Sequence, residues 1–292
     1  MQVMDSAFNI FSLSLVFALI GLNVYLTSSI MKITDLTCDG AVALGGCAYG
    51  ALVIFGVNPI AAFLFASLLG VIAGFMTSSF STHIDVEPVL ASIITITAIH
   101  TFIIKLCTAK SYAVGHGAKS IVSTLSSFDN AILVCCIVLI LSFLFYRILN
   151  SEYGLAMRVF GDGKIISESL GVNSKKMMWI GLGLGNGLSA AAGALMTQIT
   201  GDFSVSMGNG SLVFGIASVI IGGKLISSNT VRGAIFGCFV GAILYKIAIE
   251  IFTFSGAETF GSDYNSVITA LVLIFLMASI SDRSKKGRLE NI

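Results

Sequence analysis

Residues 8–30 read FNIFSLSLVFALIGLNVYLTSSI, a run of 23 residues without a charged side chain. An α-helix of that length crosses the roughly 30 Å hydrocarbon core of a bilayer. Similar runs recur along the 292-residue chain, whose hydrophobic fraction is 56% and whose mean hydropathy is +0.97. The hydrophobic fraction exceeds that of ordinary soluble domains, so we expect a polytopic membrane protein.

The apolar segments are expected to be helices, because lipid cannot hydrogen-bond the backbone and no alternating barrel pattern is present. The predicted fold class is all-α, with about eight to ten transmembrane helices in a single membrane domain, 1–292. Segment 40–56 is the marginal one, since it is short and rich in glycine and follows Asp39, which makes a broken helix a second possibility. The nine segments are 8–30, 40–56, 60–80, 89–106, 130–149, 177–199, 211–226, 233–254 and 264–280.

One polar stretch interrupts this pattern at residues 151–176, SEYGLAMRVFGDGKIISESLGVNSKK, which carries seven charged side chains. We call it the cytoplasmic segment, because short loops rich in Lys and Arg lie on the cytoplasmic side of a membrane. The basic C-terminal tail is predicted to lie on the same side, and the four spans between the two segments agree with this. Counting back through five spans places the N-terminus outside. The basic residues are Arg147, Arg158, Lys164, Lys175, Lys176, Arg283, Lys285, Lys286 and Arg288.

Local signals predict a short amphipathic helix within the cytoplasmic segment. Asp162 can accept hydrogen bonds at its start, and Gly171 can supply a left-handed end. Ile166 and Leu170 share one face at i, i+4, so that face can bury in a partner. Asn173 or Ser174 can cap the following span.

The run EYGLAMRVFGDGKIISESLGVNSKK, followed by GLGLGNGLSAAAGALMTQITGDFSVSMGNGSLVFGIASVIIGGKL, resembles the permease subunits of bacterial ABC importers. The likeness is to the branched-chain amino acid permease superfamily, and within it to a group associated with aromatic amino acid uptake. Upstream, DLTCDGAVALG and LASIITITAIHTFIIK resemble the same group. The resemblance implies a multi-pass permease of the bacterial cytoplasmic (inner) membrane that imports a small solute, with an amino acid expected.

The resemblance also implies partners and a coupling site. The partners are an ABC ATPase subunit, an extracytoplasmic lipoprotein-type binding protein, membrane lipid and a second permease copy, expected as a homodimer. ATP would be bound by the ATPase, and no cofactor by this chain. Gly163 departs from the family pattern, where a larger polar residue such as Asn is expected. The ATPase-coupling residues implied are Glu152, Gly154, Arg158, Gly161, Asp162, Glu168, Gly171 and Asn173.

Three polar residues in the spans are candidates for the translocation path. Asp39 either lines the path or caps a helix. Asn186 and Gln198 are expected to point inward, because an exposed amide is costly in lipid, and they contact either solute or a neighbouring helix.

Other polar and sulfur-containing residues are expected to be structural. His83 and His100 stand without further ligands at metal spacing, so no metal site is predicted. The six cysteines are interpreted as small packing residues. Lys246 and Glu250, at i, i+4, are expected to neutralise each other, with a proton relay as the alternative.

Several function classes are disfavoured. The net charge of +1 gives no electrostatic basis for binding nucleic acid. No nucleophile–base pair or metal-ligand set indicates an enzyme, so no catalytic residue is predicted. The alternative function is a stand-alone secondary transporter driven by an ion gradient. Such a protein needs intramembrane charges as coupling sites, and the chain has few beyond Lys246, Glu250, Asp39 and Asp263.

Overall fold

The structure, a computed structural model, describes residues 2–107, 127–226 and 230–260. All regular structure within these ranges is helical, which confirms the predicted fold class. Helix α1 ends in a π-helical turn, Tyr25–Ile30. The helices are α1 Gln2–Val24, α2 Thr37–Ile54, α3 Pro59–His83, α4 Pro88–Cys107, α5 Ser127–Leu149, α6 Glu152–Gly161, α7 Lys164–Ser169, α8 Ser174–Thr200, α9 Ser211–Leu225 and α10 Val231–Phe260.

Seven stretches of helix in the described ranges are long and apolar enough to cross a membrane. They agree with the predicted segments, whereas α9 is a shorter apolar helix and the predicted segment 264–280 lies outside the described residues. The seven stretches are Phe8–Ile30, Thr37–Ile54, Pro59–His83, Pro88–Cys107, Ala131–Leu149, Ser174–Thr200 and Val231–Ile251.

Helix α2 is continuous over 18 residues, so the possibility of a broken helix at 40–56 is wrong. Its glycines are used for close packing against α8 rather than for a bend. A Cβ on Gly45 would collide with the backbone of Ala190, and a Cβ on Gly193 would collide with the carbonyl oxygen of Val42. Small residues let two helix backbones approach this closely, as the composition of the α8 segment predicts.

The helices form an inner group surrounded by an outer group. Most residues of the membrane-spanning parts of α1, α2 and α8 are buried inside the protein, whereas in α3, α4, α5 and α10 only about a third or fewer are buried. The outer helices present large apolar side chains such as Leu64, Leu139 and Phe143 on this exposed surface. Apolar side chains facing outward suit a lipid environment, which is the environment that the sequence predicts.

Helix α9 is short because the chain enters the helix bundle before the helix begins. Residues 201–210 are irregular and run along α2: Phe203 packs on Gly50 near one end, and Gly208 packs on the backbone of Asp39 near the other. Eleven residues of helix separate these two contacts, which corresponds to about 16 Å. Non-helical backbone at membrane depth is tolerated where protein surrounds it, and here α2 supplies that cover.

Helices α9 and α10 pack closely through glycines. A Cβ on Gly222 would collide with Gly237, and a Cβ on Gly241 would collide with the carbonyl oxygen of Ser218. Glycines on both helices therefore let the two backbones approach each other.

We expect Gly193→Ala to destabilise the protein by roughly 1–3 kcal/mol, because the added methyl group would force α8 away from α2. The measurement is the thermal unfolding temperature of the detergent-solubilised protein. Gly223→Ala is the matched control, since this helical glycine of α9 faces open space. Equal unfolding temperatures for the two variants would contradict the close α2–α8 contact.

Candidate functional site

The cytoplasmic segment folds as two short helices, α6 and α7, separated by Asp162 and Gly163. The prediction that Asp162 caps the second helix is wrong. Gly163 occupies the N-cap position, at φ 130° and ψ 150°, and Asp162 instead follows the last residue of α6. Only glycine adopts that backbone conformation without strain, which is the physical reason that a larger residue is absent at position 163.

Two glycines hold α6 against the membrane domain. A Cβ on Gly154 would collide with the carbonyl oxygen of Leu149, at the end of α5. A Cβ on Gly161 would collide with the carbonyl oxygen of Ile30, at the end of the π-helical turn. Both ends of α6 therefore touch backbone of the transmembrane helices directly, so a displacement of α6 acts on α1 and α5.

Polar contacts complete the attachment of the cytoplasmic segment. An Arg158 Nη donates to the Leu149 carbonyl oxygen at 3.3 Å, and Lys32 Nζ lies 3.0 Å from Asp162 Oδ1. Gly171 has a φ of +74°, which confirms the predicted left-handed end. Asn173 Oδ1 accepts the Lys176 backbone N–H at 3.0 Å and so caps α8, as predicted.

Helix α7 turns apolar side chains outward. Ile165 is 86% exposed, and Ile166 and Leu170 are exposed on the face that the sequence predicts. Leu155 on α6 is exposed as well, and so is the charged side chain of Glu168. Apolar side chains grouped on an aqueous surface mark a site of interaction. The acidic Glu152 at the start of α6 and Glu168 in α7 are exposed as well.

An open groove of about 780 Å³ lies beside α7 on the same side of the membrane. It separates the cytoplasmic segment from the turn after α1 and the end of α3. Charged side chains of both signs line it, among them Lys32, Asp85, Glu168 and Lys175. The groove leaves α7 room to move relative to α3.

Asp35, a buried carboxylate, lies two residues after Ile33, which lines this groove. Asp35 is 3% exposed and joins three helices, in what we call the Asp35 cluster: Asp35, Thr37, Ser92 and Asn186. The Thr37 backbone N–H donates to Asp35 Oδ1 at 2.9 Å and Ser92 Oγ donates to the same oxygen at 3.2 Å. Asn186 Nδ2 donates to Asp35 Oδ2 at 2.7 Å. The Asp35 side chain thus connects three helices: the first residue of α2, and residues within α4 and α8.

Sequence reasoning missed Asp35, which stands among polar residues between two spans. The available signal was its position two residues before Thr37, the first residue of α2, where an Asp side chain accepts a backbone N–H of a starting helix. That signal predicts a cap, but it does not predict the contacts to Ser92 and Asn186, which are distant in sequence.

The three predicted path residues are separated in the structure. Asn186 is buried in the Asp35 cluster. Asp39 Oδ1 accepts the Leu212 backbone N–H at 2.6 Å and so caps α9, at the point where the irregular segment 201–210 ends. Gln198 is 5% exposed, and neither its Nε2 nor its Oε1 has a hydrogen-bond partner among the described residues. The inward orientation of both amides is confirmed, and the path itself stays a prediction.

The Lys246–Glu250 pair and the absence of a metal site were the remaining predictions for the spans. Lys246 Nζ and Glu250 Oε2 lie 3.3 Å apart, as the i, i+4 spacing predicts. Within residues 2–107, 127–226 and 230–260, no three His, Cys, Asp or Glu side chains are grouped as metal ligands.

Comparisons with known proteins give one family and several relatives. A family model described as "Branched-chain amino acid transport system / permease component" matches residues 6–277. A tyrosine transport system permease protein of Clostridioides difficile is 28% identical over 94% of this chain and 92% of its own length. The autoinducer 2 import system permease protein LsrC of Yersinia pseudotuberculosis is 23% identical over 82% of this chain and 68% of its own.

Two solved structures have a similar fold. An inward-facing metal-chelate type ABC transporter gives a TM-score of 0.57 at 17% identity, over 94% of this chain and 85% of that chain. PsaBC from Streptococcus pneumoniae in complex with Fab gives a TM-score of 0.52 at 13% identity, over 94% of this chain and 90% of that chain.

We expect Asp35→Ala to lower the free energy of unfolding by about 1–3 kcal/mol, because the buried Thr37 N–H would lose its acceptor and Ser92 and Asn186 would each lose one of two acceptors. The readout is the thermal unfolding temperature in detergent. Asp202→Ala is the control, since Asp202 is exposed and its hydrogen bonds with Thr200 use only its backbone. If both variants unfold at the same temperature, the Asp35 cluster does not hold the helices together.

Proposed function

This chain belongs to the permease component family of branched-chain amino acid transport systems, and from that premise we propose that it imports an amino acid with energy supplied by a separate ATPase. It is a permease subunit of an ABC transporter, a multi-pass protein of the bacterial inner membrane and not an enzyme. This identity leaves no support for the alternative of a stand-alone secondary transporter. What we propose in addition is that a separate ATPase drives transport and that the solute is an amino acid.

The observation that carries the coupling proposal is the exposed apolar face of α7. Ile165, Ile166 and Leu170 project from a cytoplasmic helix, and their exposure to water is unfavourable unless a partner covers them. We assign this face to the ATPase subunit, with Glu152 and Glu168 at its border and Gly154, Gly161 and Gly171 shaping the backbone. Arg158, Asp162 and Asn173 support this surface indirectly, because their side-chain contacts hold α6 and α8 in place.

The transmission step follows from the contacts of α6. Movement of a docked ATPase would displace α6, whose two glycines rest on the carbonyl oxygens of Leu149 and Ile30. The turn after Ile30 leads through Lys32 to Asp35, and Asp35 is bonded to α4 and α8. ATP binding on the partner would therefore shift the populations of two packings of the transmembrane helices, without any covalent chemistry in this chain.

The tyrosine permease relative supports an amino acid as the solute, and an aromatic one in particular. An extracytoplasmic lipoprotein-type binding protein would deliver it, and a second copy of this chain would complete the path as a homodimer. In this arrangement the chain, 1–292, acts as one membrane domain. It binds no cofactor, since ATP belongs to the ATPase.

Uptake of radiolabelled tyrosine by cells that co-express the permease, its ATPase and its binding protein tests the function. We expect uptake to stop when the ATP site of the ATPase is inactivated, and to stop also with Ile165→Asp, because a charge would enter the apolar contact. The Ile165→Asp permease should remain in the membrane but no longer copurify with the ATPase. Ile165→Leu is the control and should retain both properties.

The coupling proposal fails if the Ile165→Asp permease still copurifies with the ATPase and transports normally. It fails also if uptake persists with the inactive ATPase. If the cells take up another amino acid but not tyrosine, the proposed solute is wrong while the proposed coupling still stands.

Of the three predicted path residues, we carry Gln198 forward as the solute contact, because both polar atoms of its amide lack partners among the described residues, whereas Asp39 and the Nδ2 of Asn186 are bonded to protein. Gln198→Leu should keep or raise the unfolding temperature, since a buried amide without partners is removed, while tyrosine uptake falls. Met196→Leu on the same helix is the matched control and should leave both unchanged. A loss of stability without loss of uptake would contradict the path role.

A further inference from the structure

We propose that Cys47 and Cys107 form an intramolecular disulfide that fastens the outer end of α4 to α2, a modification site that lies beyond the transport function. Their Sγ atoms are 2.8 Å apart although the residues are 60 positions apart in the sequence. Two sulfurs in mere van der Waals contact stay farther apart than this. A disulfide needs a further approach of only about 0.8 Å, to the usual bond length of roughly 2.05 Å.

The two thiols lie in a packed environment that holds them together. Cys47, in the outer half of α2, and Cys107, the last residue of α4, belong to one apolar cluster with Ala43, Ile99 and Phe203. Cys47 Sγ also lies 3.5 Å from the carbonyl oxygen of Ser204, in the irregular segment 201–210. Contacts on several sides restrict both side chains, which favours reaction between the two thiols over reaction with other groups.

The remaining described cysteines do not share this geometry. Cys38 contacts Ser189, and Cys238 contacts the carbonyl oxygen of Gly21. All six cysteines are free thiols in the structure, and the pair differs from Cys38 and Cys238 in that its two sulfurs face each other.

The position of the pair in the membrane suits oxidation. Helix α4 begins at Pro88, just after Asp85 of the cytoplasmic groove, and its 20 residues span about 30 Å. Cys107 therefore lies toward the extracytoplasmic side. That compartment of a bacterium is oxidising, so disulfides form and persist there.

A disulfide would complete the attachment of a weakly held helix. Helix α4 packs chiefly on α2 and α3 and exposes Leu90, Ile94 and Phe102. Its inner end is already joined to Asp35 through Ser92. The bond between Cys47 and Cys107 would join its outer end to α2, so that α4 is held at both ends.

The oxidant is a disulfide, either a low-molecular-weight one or that of a thiol–disulfide oxidoreductase. One thiol of the pair loses its proton and its sulfur attacks the oxidant, which forms a mixed disulfide and releases one thiolate. The second thiol loses its proton, attacks the sulfur of the first cysteine and releases the second thiolate. In total two S–H bonds give one S–S bond, and the oxidant takes up the two electrons and two protons as two thiols.

The test uses the full chain in membranes treated with 2,2′-dithiodipyridine, a membrane-permeant disulfide. A variant in which Cys38, Cys135, Cys136 and Cys238 are replaced by Ala keeps only the pair. We expect it to release two pyridinethiones per chain, to lose the mass of two hydrogens and to carry no pyridyl adduct. Adding Cys47→Ser to this variant should give one pyridinethione and a stable adduct on Cys107.

The unaltered protein gives a second measurement that does not depend on the multiple variant. After oxidation, denaturation and alkylation, peptide mass spectrometry should find Cys47 linked to Cys107, with the other four of the six cysteines as alkylated thiols or pyridyl adducts. Cys238→Ser, the control, should keep that linked peptide. Two pyridyl adducts on the pair, alkylation of all six thiols, or linkage of other cysteines would overturn the proposal.

Discussion

The backbone contact between α2 and α8 is the constraint on which the other features of this membrane domain depend. Gly45 meets the backbone of Ala190 and Gly193 meets the carbonyl oxygen of Val42, so the two helices touch without side chains between them. In lipid, association of helices relies on close packing and hydrogen bonds more than on the hydrophobic effect. The contact sets the distance at which Asn186 of α8 reaches Asp35 before α2. The neighbouring face of α2, with Asp39, Ala43 and Gly50, covers the irregular segment 201–210.

The irregular segment and the buried carboxylates answer the same physical problem. A helix that begins inside a membrane leaves its first N–H groups without partners, and each costs free energy when it is buried. Asp39 accepts the Leu212 N–H at the start of α9, and Asp35 accepts the Thr37 N–H at the start of α2. Each of these two carboxylates therefore accepts a hydrogen bond from a backbone N–H that would otherwise be buried without a partner. That assignment explains why charged side chains appear in DLTCDG, where α2 begins.

The sequence was sufficient for features that depend on local spacing. The apolar segments, the left-handed Gly171, the Asn173 cap and the Lys246–Glu250 pair each involve residues within a few positions of one another. It was insufficient where two distant segments meet. Asp162 could be a cap by its local pattern, yet the backbone places Gly163 there and turns Asp162 toward Lys32, 130 positions away. The approach of Cys47 to Cys107 likewise depends on how α4 lies on α2, which no spacing in either helix specifies.

The connection between the cytoplasmic segment and the transmembrane helices relies on steric contact more than on charge. Both side chains of the Lys32–Asp162 pair are more than half exposed, and an ion pair of that kind contributes at most about 1 kcal/mol and is screened by salt. The contacts of Gly154 and Gly161 with carbonyl oxygens of α5 and α1 are not screened, and they leave no space for a side chain to absorb a displacement. A movement of α6 therefore reaches the ends of α1 and α5 as a movement of backbone. Under the proposed coupling to a separate ATPase, such rigid contacts would transmit a displacement more directly than an exposed ion pair.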